Sequence, residues 1–163
     1  MADVDLASGI GAGYHPSQIV TSKMPYVVSV TFTWAEAAAA KGSAIAAADV
    51  IQCIDIPAGT MVLGGSIKKT EAPSGTVSVA TLDLGTGAEV DLFVDGFDYY
   101  AAATGAWAAP AAAWAPLVNT AADTVDVVVA SLTGTLTDGD VTVSVVMVDL
   151  EAPLAPGLAA LKS

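Results

Sequence analysis

The chain has 163 residues, enough for one domain and cramped for two. Its hydrophobic fraction of 54% excludes a wholly disordered polypeptide, and no apolar run reaches the roughly 18–20 residues needed to cross a bilayer as a helix. Seventeen acidic residues face five lysines and no arginine, a formal charge of −12; that excludes binding to nucleic acid or to an anionic membrane, because both require cationic side chains against phosphates.

Met1 to Leu6 has neither the positive start nor the apolar stretch of a signal peptide, so synthesis and folding in a bacterial cytoplasm are expected. Residues 1–24 hold Gly9, Gly11, Gly13 and Pro16 without a sustained period and read as an extended N-terminal arm. From Tyr26 the pattern alternates: Tyr26, Val28, Val30, Phe32 and Trp34 share one face of a strand. The alanine-rich stretch 35–48, broken by Gly42 and Ser43, suits a short helix or an ordered loop of small residues. Val50–Ile56 is a second strand, closed by the turn Pro57-Ala58-Gly59. Thr60–Thr70 is a third, with Met61, Leu63 and Ile67 expected on one side and a bulge or close backbone approach at Gly64-Gly65.

Pro73-Ser74-Gly75 turns the chain into Thr76–Leu84, where the apolar phase switches from Val77 and Val79 to Leu82 and Leu84. A one-residue bulge near Ala80 would reconcile the two. Val90–Val94 and Phe97–Ala102 flank Asp95-Gly96, and a low-complexity segment, 101–116, places Trp107 and Trp114 among alanines. Thr124–Leu136 and Val141–Leu150 read as a hairpin closed at Asp138-Gly139, a pair suited to a tight turn. Val146 and Val148 make the end of the last strand apolar on both faces, and 151–163, with two prolines, reads as an extended tail. Short strands separated by turn signals, with no alternating helices, predict an all-β fold: a β-sandwich, jelly-roll or immunoglobulin-like, over 25–150.

Residues that carry chemistry are scarce. His15, the only histidine, lies in the arm, away from the rigid elements that a catalytic triad needs. Cys53 sits within a strand and reads as a small buried apolar residue, and a lone cysteine cannot form an internal disulfide. One histidine and one cysteine do not make a zinc site. The glycines at 9, 11 and 13 do not follow a strand and open a helix, as a nucleotide loop must. Asp91, Asp95 and Asp98 fall close together, but their spacing is not that of a calcium loop, and aspartate beside glycine is ordinary turn chemistry. No catalytic residue, cofactor or metal is assigned, and a non-enzymatic role is expected.

The segment 49–64, Asp-Val-Ile-Gln-Cys-Ile-Asp-Ile-Pro-Ala-Gly-Thr-Met-Val-Leu-Gly, with Asp-Gly-Phe-Asp at 95–98, resembles small structural proteins of tailed bacteriophages: decoration, cement and head-fibre components. The resemblance spans about residues 50–103 and, more loosely, 124–150. It implies a virion protein on the capsid exterior that binds the major capsid protein and stabilises the shell. The apolar end of the last strand, at Val146 and Val148, and the weakly charged segment with Trp107 and Trp114 read as subunit interface, and the homotrimer expected from them matches the resemblance. A receptor- or glycan-binding module of a tail or head fibre, using Trp107, Trp114 and the acidic turn at Asp91, Asp95 and Asp98, is the alternative.

Overall fold

Strand alternation between Tyr26 and Thr33 produces the first long strand of the computed structural model, which describes residues 3–5, 25–101 and 117–150. Val30 and Phe32 are buried, while Val27, Ser29 and Thr31 face outward. In chain order the elements are β1 (Asp3–Asp5), β2 (Tyr26–Thr33), α1 (Trp34–Lys41), β3 (Val50–Ile56), β4 (Thr60–Lys69), β5 (Ser74–Gly75), β6 (Val79–Thr86), β7 (Val94–Asp98), β8 (Leu117–Val118), β9 (Asp123–Thr133), β10 (Leu136–Asp138) and β11 (Asp140–Asp149).

The long strands form a β-sandwich. One sheet has the order β1-β3-β9-β6-β7 and the other β2-β11-β4-β8, while β5 and β10 make a separate two-stranded ribbon. All pairs are antiparallel except β1 with β3, where Asp3 lies beside Val50. Thus β1 belongs to the 1–24 segment read as an arm, and the remainder of that segment lies outside the described residues, as does the tail 151–163. The core fills the space between the sheets. Ile51, Cys53, Ile56, Leu82, Leu84, Val125, Val127 and Val129 come from one side, and Phe32, Val62, Ile67, Val141, Val143, Val145 and Met147 from the other.

The helix is short for a local reason. Thr33 caps its start by accepting a hydrogen bond from the Glu36 backbone N–H, and the Glu36 carboxylate accepts one from Thr33 N–H. Gly42 ends it in the left-handed conformation, satisfying the last carbonyls. Only Trp34 and Ala37 are buried, so alanine propensity and caps hold eight residues rather than fourteen.

Several strand expectations need correction. The Thr124–Leu136 and Val141–Leu150 segments are not a hairpin: β9 pairs with β3 and β6, and β11 with β2 and β4, in opposite sheets. Gly134 breaks the run, β10 joins β5, and Asp138-Gly139 turns β10 into β11, with Gly139 at φ +113°. The bulge sought near Ala80 lies on its neighbour, where Ala130 of β9 is skipped between Thr81–Ser131 and Leu82–Val129. Val79 consequently points outward, 43% exposed.

In β4 the buried apolar residues are Val62 and Ile67, not Met61 and Leu63. Leu63 is the bulge residue, skipped between Val146–Gly64 and Met147–Val62, and the bulge changes which parity faces inward. The close approach expected at Gly64-Gly65 is also present, since a Cβ on Gly65 would lie 3.0 Å from the Phe93 ring. Asp95-Gly96 does not separate two strands. It is a bulge within β7, where Gly96 takes φ +71° and donates its N–H to Asp83 Oδ1 at 2.8 Å. Ser74-Gly75, read as a turn, is β5.

Candidate interaction surface

The two sheets differ sharply in charge. The five strands of the β9-centred sheet carry eight carboxylates and no lysine: Asp3, Asp5, Asp55, Asp83, Asp95, Asp98, Asp123 and Asp126. In the four-stranded sheet the only acids are Asp140 and Asp149, the terminal residues of β11, and the cations are Lys68 and Lys69. A strongly acidic molecule therefore presents one sheet whose strand interiors hold no carboxylate.

The outer face of that sheet is built in rows. Thr142 of β11 lies beside Thr31 of β2, their hydroxyls 2.7 Å apart, and it also meets Thr70 at 2.8 Å. Ser144 lies between Ser29 and Ser66, with the Ser29 and Ser144 hydroxyls 2.8 Å apart. The next row is apolar, with Val146 between Val27 and Gly64. Val148 follows, beside Met61, which in turn pairs with Val118. The face thus passes from hydroxyls to aliphatic groups, with Val27 63% and Val118 47% exposed. Exposed aliphatic groups in contiguous rows mark interaction surfaces, while hydroxyls that satisfy one another present little charge to a partner.

The predicted interface residues separate here. Val146 is half-buried in the apolar row and Val148 is buried at 5% exposure, whereas Trp107 and Trp114 lie outside the described residues, as does His15. Sequence reasoning missed Val27 and Val118. The outward turn of Val27 was legible, since it shares the parity of Ser29 and Thr31, opposite Val28 and Val30.

Other side chains with chemical capacity serve structure. Cys53 is buried and donates its S–H to the Ile51 carbonyl, and burial pushes its thiol far above the usual range, so no thiolate nucleophile forms. Asp83 is raised above the ordinary carboxylate range, chiefly by burial and further by Asp95 and Asp91, while the Gly96 N–H opposes that shift. Asp98 accepts from Ala101 N–H at 2.8 Å. Asp83 and Asp98 thus each commit one oxygen to a backbone donor, and no group of three metal-ligating side chains occurs among the described residues. Lys69 is buried at 7% exposure; its ammonium lies 6.0 Å from the Tyr99 ring centroid and donates to the Tyr100 carbonyl.

No family model and no curated protein matches the chain. Solved structures do. A chain in the capsid of Ralstonia phage GP4 superposes with a TM-score of 0.61 at 16% identity, covering 91% of this chain and 98% of that one. A chain in the capsid asymmetric unit of cyanophage Pam1 gives 0.52 at 16% identity, covering 76% and 84%. The chain shares the fold of both.

Proposed function

We propose that this protein is a non-enzymatic structural component of a phage virion that binds the outside of the capsid shell and stabilises it. The carrying observation is the superposition on a chain of the Ralstonia phage capsid, which runs nearly end to end in both chains. The matched chain is therefore close to this one in length, and the likeness runs over nearly all of both. The charge division supports the same reading. A sheet free of interior carboxylates, with an exposed aliphatic row, is suited to docking, while the acidic sheet suits exposure to solvent and does not engage the packaged genome. The partner is the major capsid protein. Each copy needs only modest affinity, because copies linked across a lattice gain about 10²–10⁴-fold in avidity.

Sedimentation of capsid shells from the source phage with purified protein tests this. Co-sedimentation that saturates at a fixed ratio, with a rise in the temperature at which the shells break, is expected. Val27→Lys together with Val146→Lys should weaken it, while Asp55→Asn should leave it unchanged. Failure of the parent protein to sediment with the shells overturns the reading.

A further inference from the structure

Each sheet of an open sandwich ends in two edge strands, and natural proteins blunt such edges with short length, charge, proline or bulges. Three of the four edges here are blunted. β1 spans three residues, two of them aspartate, and β8 spans two. β7 carries Asp95 and Asp98 and is bent by the Gly96 bulge. β2 is different. Its eight residues, Tyr-Val-Val-Ser-Val-Thr-Phe-Thr, contain no charge and no proline, and they pair with β11 in unbroken register over the whole length. Among the described residues β2 has no strand on its other side. The core beneath it is also incomplete, since Tyr26 and Val28 lie on the inward parity and pack against the core yet stay half-buried.

We infer that β2 is a strand-pairing site for a second copy of this chain, joined antiparallel about a twofold axis into one continuous eight-stranded sheet. The occupant follows from the edges and from charge. A carboxylate-rich chain repels its own copies unless they meet through an uncharged strip, and β2 is uncharged along its whole edge. A head-to-tail contact would set β2 against an edge that is short, acidic or bulged, so the matching edge is β2 itself. Side-chain period then limits the register, because only residues sharing a face pair across an antiparallel ladder. The axis passes through Ser29 or Val30. In either register the inward Val28 and Val30 of both copies lie together and extend the core across the seam. Twofold pairing differs from the threefold assembly expected from the sequence, and it is independent of attachment to a capsid.

Light scattering of the full chain at micromolar concentration should give twice the chain mass. Ser29→Lys with Thr31→Lys places like charges across the seam at exposed positions and should return the mass to one chain, with the circular dichroism spectrum retained. Under mild oxidation Ser29→Cys should form a disulfide-linked dimer where the axis passes through Ser29, and Ser29→Cys with Thr31→Cys should do so where it passes through Val30, whereas Val118→Cys, on the far edge of the same sheet, should not. A monomeric or trimeric parent, a dimer indifferent to the two lysines, or equal cross-linking through position 118 overturns the proposal.

Discussion

Tyr99 joins the core to the rim of the sandwich. Its ring packs edge-on against Trp34 at 5.6 Å, and its hydroxyl donates to the Glu71 carbonyl at 3.1 Å. Burial pushes the phenol up to about 12, with Asp140, Glu71 and Asp138 acting in the same direction and Trp34 opposing. An unfolded tyrosine titrates near 10. The folded chain therefore holds this proton more tightly than the unfolded chain, so the contribution is complete below about pH 10 and fades as pH rises toward 12. Tyr99→Phe should cost about 1 kcal/mol at neutral pH, through loss of the bond to Glu71, and should flatten the alkaline fall in stability. Denaturant melts at neutral and alkaline pH check this; a variant that falls as steeply as the parent contradicts the assignment. Tyr99 stands out in sequence only as an aromatic beside a turn. Its contacts depend on strands that the sequence does not pair.

At the scale of elements, an ion pair ties the end of the helix to the residue just before β3. Lys41, in the last turn of α1, donates to Asp49 Oδ2 and to the Ala44 carbonyl, and Asp49 also accepts from Ala46 N–H. The pair is nearly closed to solvent, with 12% and 5% of the two side chains exposed. Asp49→Ala leaves the ammonium without its carboxylate and strips Ala46 N–H of an acceptor, and should cost about 2–3 kcal/mol. Urea unfolding should show a lower midpoint at unchanged slope, and a shift below about 0.5 kcal/mol would mean the pair contributes nothing.

Elements governed by local rules were legible in the chain. β2 follows from alternation, β3 appears with its predicted bounds, and α1 is short because Gly42 stops it. The partners of β9 were not legible. β9 lies in the middle of its sheet and is buried on both faces from Val125 to Val129, so its side chains carry no alternation to say which sheet it joins. Bulges were half legible. Gly64-Gly65 and Asp95-Gly96 signal theirs through glycine, but those at Cys53 and Ala130 occur at residues with no turn chemistry.

The whole molecule is polarised between its sheets. That polarity was hidden in the sequence because carboxylates occur along most of the chain, and only the pairing shows that eight of them share one sheet. Net charge argued against nucleic acid as a partner, and the resemblance pointed to a virion. The predicted tryptophan anchors, Trp107 and Trp114, lie outside the described residues. The surface rests instead on Val27, Val146 and Val118, aliphatic groups that single out no position until the strands are arranged. Averaged electron images of virions with and without this gene test the central claim most directly. The account predicts difference density of sandwich size on the outside of the head, in contact with the shell. Difference density confined to the tail or the interior, or none at all, would contradict it.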